Sequence, residues 1–64
     1  MTAPHQERMV TELAELTEKV SKLGYFLFGP TFNSLDLEEQ RRMLKQYAYM
    51  KLYLEVLNER VKAI

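Results

Sequence analysis

Few side chains in this chain are suited to chemistry, and those few suit binding better than catalysis. The cations of interest fall in three places: Arg8 near the start, Arg41, Arg42 and Lys45 in the middle, and Arg60 with Lys62 near the end. Arginine presents a planar fork of donors that fits a phosphate or a carboxylate. Tyr47, Tyr49 and Tyr53 lie between the last two groups. A tyrosine ring with a polar tip suits a surface that is part buried and part wet. Packing between helices or subunits is the expected role of Tyr47. For Tyr49 and Tyr53, subunit contact and stacking on a ligand base both stand. Arg60 also has two readings: an ion pair with Glu55, Glu59 or a neighbour's carboxylate, or a phosphate held near a symmetry axis.

Catalysis finds little support. The serines are Ser21 and Ser34, and the only histidine, His5, falls far from both. A nucleophile without a base in reach is not activated. The paired carboxylates Glu38–Glu39 and Glu55–Glu59 are ordinary on helix surfaces. There is no cysteine, which excludes a disulfide framework and a thiolate metal site. A lone histidine excludes a multi-histidine metal site, and Gly29 alone is not a phosphate loop. The expectation is a non-enzyme with no cofactor and no metal.

The 64 residues allow one small domain, with nine acidic and nine basic side chains in balance. A neutral chain has no global field for a nucleic-acid polymer, so DNA or RNA is not an expected partner. Glu38 and Glu39 further weaken the basic cluster beside them. No apolar run approaches a membrane span, and residues 1–8 lack the basic-then-apolar order of a secretion signal. An intracellular protein follows as the default. A chain this short buries too little apolar surface to fold comfortably alone. With no disulfide or metal, self-association is the natural remedy.

Helical periodicity organises everything else. Met9, Leu13, Leu16, Val20, Leu23 and Leu27 repeat at four-three spacing, the mark of a helix with one buried seam. Pro4 suits its first turn and Thr2 is a candidate cap. The pairs Glu15–Lys19 and Glu18–Lys22 have the favourable glutamate-first order on the wet face. The helix is expected over about 4–28, weakening at Gly24. Gly29-Pro30 then punctuates the chain: glycine allows a left-handed turn and proline ends the hydrogen-bonded ladder. Phe28 and Phe32 flank this break, in or beside a connector of about 29–35. They either plug the end of the hairpin or form a ligand platform. A second helix follows over about 36–63, capped by Asp36 with Glu39 or by Ser34. Met43, Leu44, Tyr47, Met50, Leu54, Leu57, Val61 and Ile64 form its seam. Tyr49, Tyr53, Val56, Arg60 and Ala63 form a second, adjacent stripe that needs another neighbour. Two similar helices on a short connector make an all-α antiparallel hairpin that oligomerises. That topology gathers His5, Arg8, Arg60 and Lys62 at one pole.

The stretches HQERMVTELAELTEKVSKLGYFL and FNSLDLEEQRRMLKQYAYMKLYLEVLNERV resemble the short helical-hairpin proteins of phages. The resemblance rests on Phe32-x-x-Leu35, Glu39-Gln40, Gln46, Met50-x-x-Tyr53 and Leu57-x-x-Arg60-Val61. These proteins include the viral sponges that inhibit CBASS and Thoeris immunity. The resemblance implies a homo-hexamer, seen as a trimer of dimers or a dimer of trimers. It implies sequestration of immune signalling nucleotides without chemistry, in the cytoplasm of the infected bacterial host. It also implies two kinds of site. One lies between paired protomers and takes a cyclic dinucleotide, using an aromatic, a lysine and a threonine near the connector. Thr31 resembles that threonine, and Tyr25, Phe28 or a residue from a neighbouring chain the aromatic. Gly29 stands where the family has its lysine, with Lys22, earlier on the first helix, as the candidate substitute. The other site lies on a threefold axis and takes a cyclic trinucleotide through arginines. Arg60 resembles the axial arginine and Arg8 its basic partner. The alternative is a structural or protein-interaction module with no nucleotide ligand.

Overall fold

The computed structural model describes residues 3–64. Thr2, the candidate first cap, lies outside the described residues. Helix α1 (Pro4–Leu27) has Ala3 at its cap position and proline at its first helical position. Ala3 has no side-chain oxygen to offer. The Gln6 side chain reaches back instead, its Oε1 accepting the Ala3 N–H at 3.0 Å. Thr11 and Thr17 sit inside the helix, where their hydroxyls donate to the Glu7 and Leu13 carbonyls at 3.1 and 2.7 Å. Their polar atoms are thereby satisfied within the helix itself.

α1 does not weaken at Gly24. It runs through to Leu27, and Gly24 is buried within it. A Cβ placed on Gly24 would stand 3.2 Å from the Tyr47 hydroxyl oxygen. The missing side chain is what lets that ring lie against α1.

The connector contains a short helix, α2 (Pro30–Ser34). Gly29 precedes it with φ −90° and ψ 167°, an extended conformation. No described residue has a positive φ, so the left-handed turn expected at Gly29 is absent. The chain reverses through an extended residue and one turn of helix, with Pro30 preorganised for its start. The two flanking aromatics part company. Phe32 is buried and plugs the end of the hairpin, whereas Phe28 is 89 % exposed.

Helix α3 (Leu37–Lys62) is capped by Asp36, whose Oδ1 accepts the Glu39 N–H at 2.8 Å. Ser34, the rival cap, donates its hydroxyl to the Thr31 carbonyl at 2.7 Å. The Glu39 carboxylate turns forward and accepts from Arg42 Nε at 2.8 Å rather than closing a capping box. Gln40 ties the connector down, donating from Nε2 to the Leu35 carbonyl at 2.8 Å.

α1 and α3 pack antiparallel. Gly24, late in α1, meets Tyr47, early in α3. Leu16 and Lys19 border a cleft with Tyr53, and Leu13 borders one with Asn58. The core is Met9, Leu16, Val20 and Leu57, with Leu13, Tyr47, Met50, Leu54 and Val61 packed around it. The result is an all-helical rod, 49 × 15 × 14 Å. Leu44 and Ile64, expected in the α3 seam, are half exposed. Leu44 follows Met43 by one residue, about 100° around the helix, so both cannot face α1. Ile64 lies beyond the helix end. No described helix is long and apolar enough to cross a membrane.

Two outcomes follow for stability. Leu57→Ala, at the one residue with 0 % exposure among those described, costs about 2–5 kcal/mol in urea unfolding. Gly24→Ala gains less than the roughly 1 kcal/mol that helix preference alone offers. On a Tyr47→Phe background, which removes the oxygen at 3.2 Å, the same change recovers the full gain. Equal gains in both backgrounds would show that the close contact does not govern this position.

Candidate ligand grooves and the terminal pole

The connector end of the rod carries an open groove of about 270 Å³ lined by Val20, Ser21, Gly24, Tyr25, Phe28 and Tyr47. Its depth comes from the absent side chain of Gly24, and its floor from the half-buried Tyr47 ring. The Lys51 ammonium stands 5.3 Å from the centre of that ring, within cation–π range. Tyr25 and Phe28 form the rim, 81 % and 89 % exposed. They come from the last turn of α1 and its cap, three residues apart and therefore neighbours on the surface. Two flat faces beside an apolar floor suit an aromatic ligand such as a nucleobase.

Of the four residues anticipated at this end, the structure brings Tyr25 and Phe28 together and leaves the other two outside. The Lys22 ammonium lies 3.0 Å from Glu18 Oε1, in an exposed pair one turn back toward the middle of α1. Thr31 is exposed on α2 and does not border the groove. Tyr47 and Gly24 were not anticipated as groove residues. One signal was available: Gly24 stands four residues after Val20, at seam spacing, where a small residue marks close approach of a second helix.

Arg8 and Arg60 occupy the opposite pole and share one flank of the hairpin. The flank is defined by Glu12, Glu15 and Lys19 of α1 facing Tyr53 of α3. Arg8 precedes Glu12 by one turn, and Arg60 follows Tyr53 by two turns. Both are exposed, and neither is in an ion pair with another described residue. Arg8 nonetheless stands among acids, in a shallow depression bordered by Glu7, Glu12 and Glu15. Its positive field is partly offset within the same helix.

A third feature lies wholly on α3. Arg42, Lys45, Gln46, Tyr49, Met50 and Tyr53 border a shallow trough of about 460 Å³ with an almost entirely apolar lining. Arg42 is engaged with Glu39, while Lys45 has no carboxylate partner among the described residues. A trough on a single helix has no opposing wall. In form it is a contact face rather than an enclosed site. Among the described residues, no cluster of three or more His, Cys, Asp or Glu side chains is placed to hold a metal ion.

No curated protein and no solved structure matches this chain. A protein-family model described as Sequestin matches residues 3–63. The match spans α1 with Arg8, the connector with its groove, and α3 with Arg60, and the chain belongs to the Sequestin family.

Proposed function

We propose that the protein is a phage counter-defence sponge, which binds cyclic oligonucleotide immune signals and withholds them from their effectors without degrading them. The observation that carries this reading is the family match over residues 3–63, since the family name points to sequestration. The exposed Tyr25–Phe28 rim beside its groove and the Arg8–Arg60 pole give it chemical form. A cyclic oligonucleotide is compact, polyanionic and flat-based. Stacking faces and arginine forks are the two things it asks of a protein.

In this reading the connector groove takes a cyclic dinucleotide. Tyr25 and Phe28 stack on bases, while Thr31 and Lys22 turn toward the phosphates. The Arg8–Arg60 pole takes a cyclic trinucleotide on a threefold axis, with one arginine set from each copy. The protein is a homo-hexamer acting in the cytoplasm of the infected bacterium, where it intercepts CBASS-type signals. No bond is made or broken. Affinity comes from rigid, preformed faces that lose little freedom on binding.

The exposed stripe of α3 favours a second reading, a homo-oligomeric interaction module with no nucleotide. Calorimetric titration of the purified protein with cyclic di- and trinucleotides separates the two: the sponge gives saturable heat with at least one ligand, the module with none. Arg60→Ala is expected to abolish trinucleotide binding while leaving the assembly mass unchanged. Unaltered binding would remove Arg60 from the site. Phe28→Ala is expected to weaken dinucleotide binding about tenfold, within the roughly 1–3 kcal/mol of one base–aromatic stack, and to leave trinucleotide binding intact. Equal loss for both ligands would mean that the two sites are not separate.

A further inference from the structure

The outward face of α3 carries a pattern that neither the hairpin core nor the proposed ligand sites use. Tyr49, Leu52 and Val56 are 61, 58 and 52 % exposed. Leu52 and Val56 make one stripe with Lys45, Ala48, Glu59 and Ala63, since positions 45, 48, 52, 56, 59 and 63 follow each other in steps of three or four, and Tyr49 stands at its edge. All are exposed, and α1 packs on the other side of the helix.

The stripe is symmetric about Leu52. Four residues to either side stand Ala48 and Val56. Seven residues to either side, two turns along the same face, stand Lys45 and Glu59, which are opposite in charge. Neither has an ion-pair partner among the described residues.

We propose that this face is covered by a second copy of the chain, α3 against α3 and antiparallel, with a twofold axis passing beside Leu52. In that register each Leu52 meets its own copy. Each Ala48 lies opposite a Val56, a small residue against a branched one, which allows the two helices to approach closely. Each Lys45 lies opposite a Glu59, so the pairing forms twice. A parallel arrangement would stack Lys45 on Lys45 and Glu59 on Glu59. Moving the axis half a residue toward Tyr53 would set Lys45 against Arg60. The charges therefore select one direction and one register, while the apolar residues supply the attraction. Arg60 stays on the flank beside the seam and remains open. The twofold stands on the α3 pattern alone and holds whether or not the ligand is a nucleotide.

The chain has no cysteine, so a single substitution gives a unique thiol. On mild oxidation, Leu52→Cys is expected to convert to a disulfide-linked dimer, because two thiols flanking a twofold axis are within bridging distance. Thr11→Cys, exposed on α1, should crosslink far more slowly. Dilution experiments on the uncrosslinked protein test the register. Lys45→Glu alone and Glu59→Lys alone should each weaken association about tenfold, and the double variant should restore it. A monomeric wild-type protein, equal crosslinking at positions 52 and 11, or single charge changes without effect would each overturn the proposal. These readouts need no ligand. A dimer that binds no nucleotide would retain this interface and remove the sponge reading, and the converse result would do the reverse.

Discussion

The structure depends on one constraint: a helix in a two-helix hairpin can bury only a single stripe. α3 meets α1 along Tyr47, Met50, Leu54, Leu57 and Val61, and among the described residues Leu57 alone is wholly removed from water. Only Met9, Leu16, Val20, Phe32 and Leu57 qualify as buried apolar residues among those described. Twice as many large apolar side chains stay exposed, including Tyr49, Leu52, Tyr53 and Val56. So small a core leaves little margin over conformational entropy. In the proposed twofold, the exposed stripe adds apolar burial, with a partner helix as its cover.

The same shortage of side chains creates the connector groove. Gly24 occupies a seam position and adds nothing to the core, yet the Tyr47 ring fills the space it leaves. That exchange draws α3 against the end of α1 and leaves Tyr25 and Phe28 standing clear on the rim. Phe32 is buried within the connector, and the Gln40 amide holds the connector by the Leu35 carbonyl. The two rings stand at the end of the helix with their faces open, as a stacking site requires.

Where a long apolar period governs, the fold is legible in the sequence. The four-three spacing of Met9 to Leu27 and of Tyr47 to Val61 carries the two long helices and their antiparallel pairing. The Asp36 cap is legible because its oxygen has one obvious donor to serve. Local geometry at the reversal is not. Gly29-Pro30 signals a break equally well for a left-handed turn and for an extended residue leading into α2, and the choice depends on Phe32 finding the end of the core. The partner of Lys22 was legible as Glu18, four residues back. Arg8 and Arg60 share a pole because of topology. That they also share a flank emerges only from the side on which Tyr53 meets Glu12 and Glu15.

Each proposed ligand site is half a site in the single chain. The connector groove has aromatic faces, but its cation at Lys22 is held aside by Glu18. The terminal pole has two exposed arginines, but carboxylates stand beside Arg8. A polyanion gains little from either alone, because exposed charges in water attract weakly. Bringing copies together changes both terms at once: it multiplies the cations facing one ligand and removes water from between them. A ligand that binds only the assembled form must in turn stabilise the assembly, by mass action. For a sponge this coupling is useful. The chain is too small to enclose a cyclic oligonucleotide, so the assembly that completes its core would also bring its half-sites together.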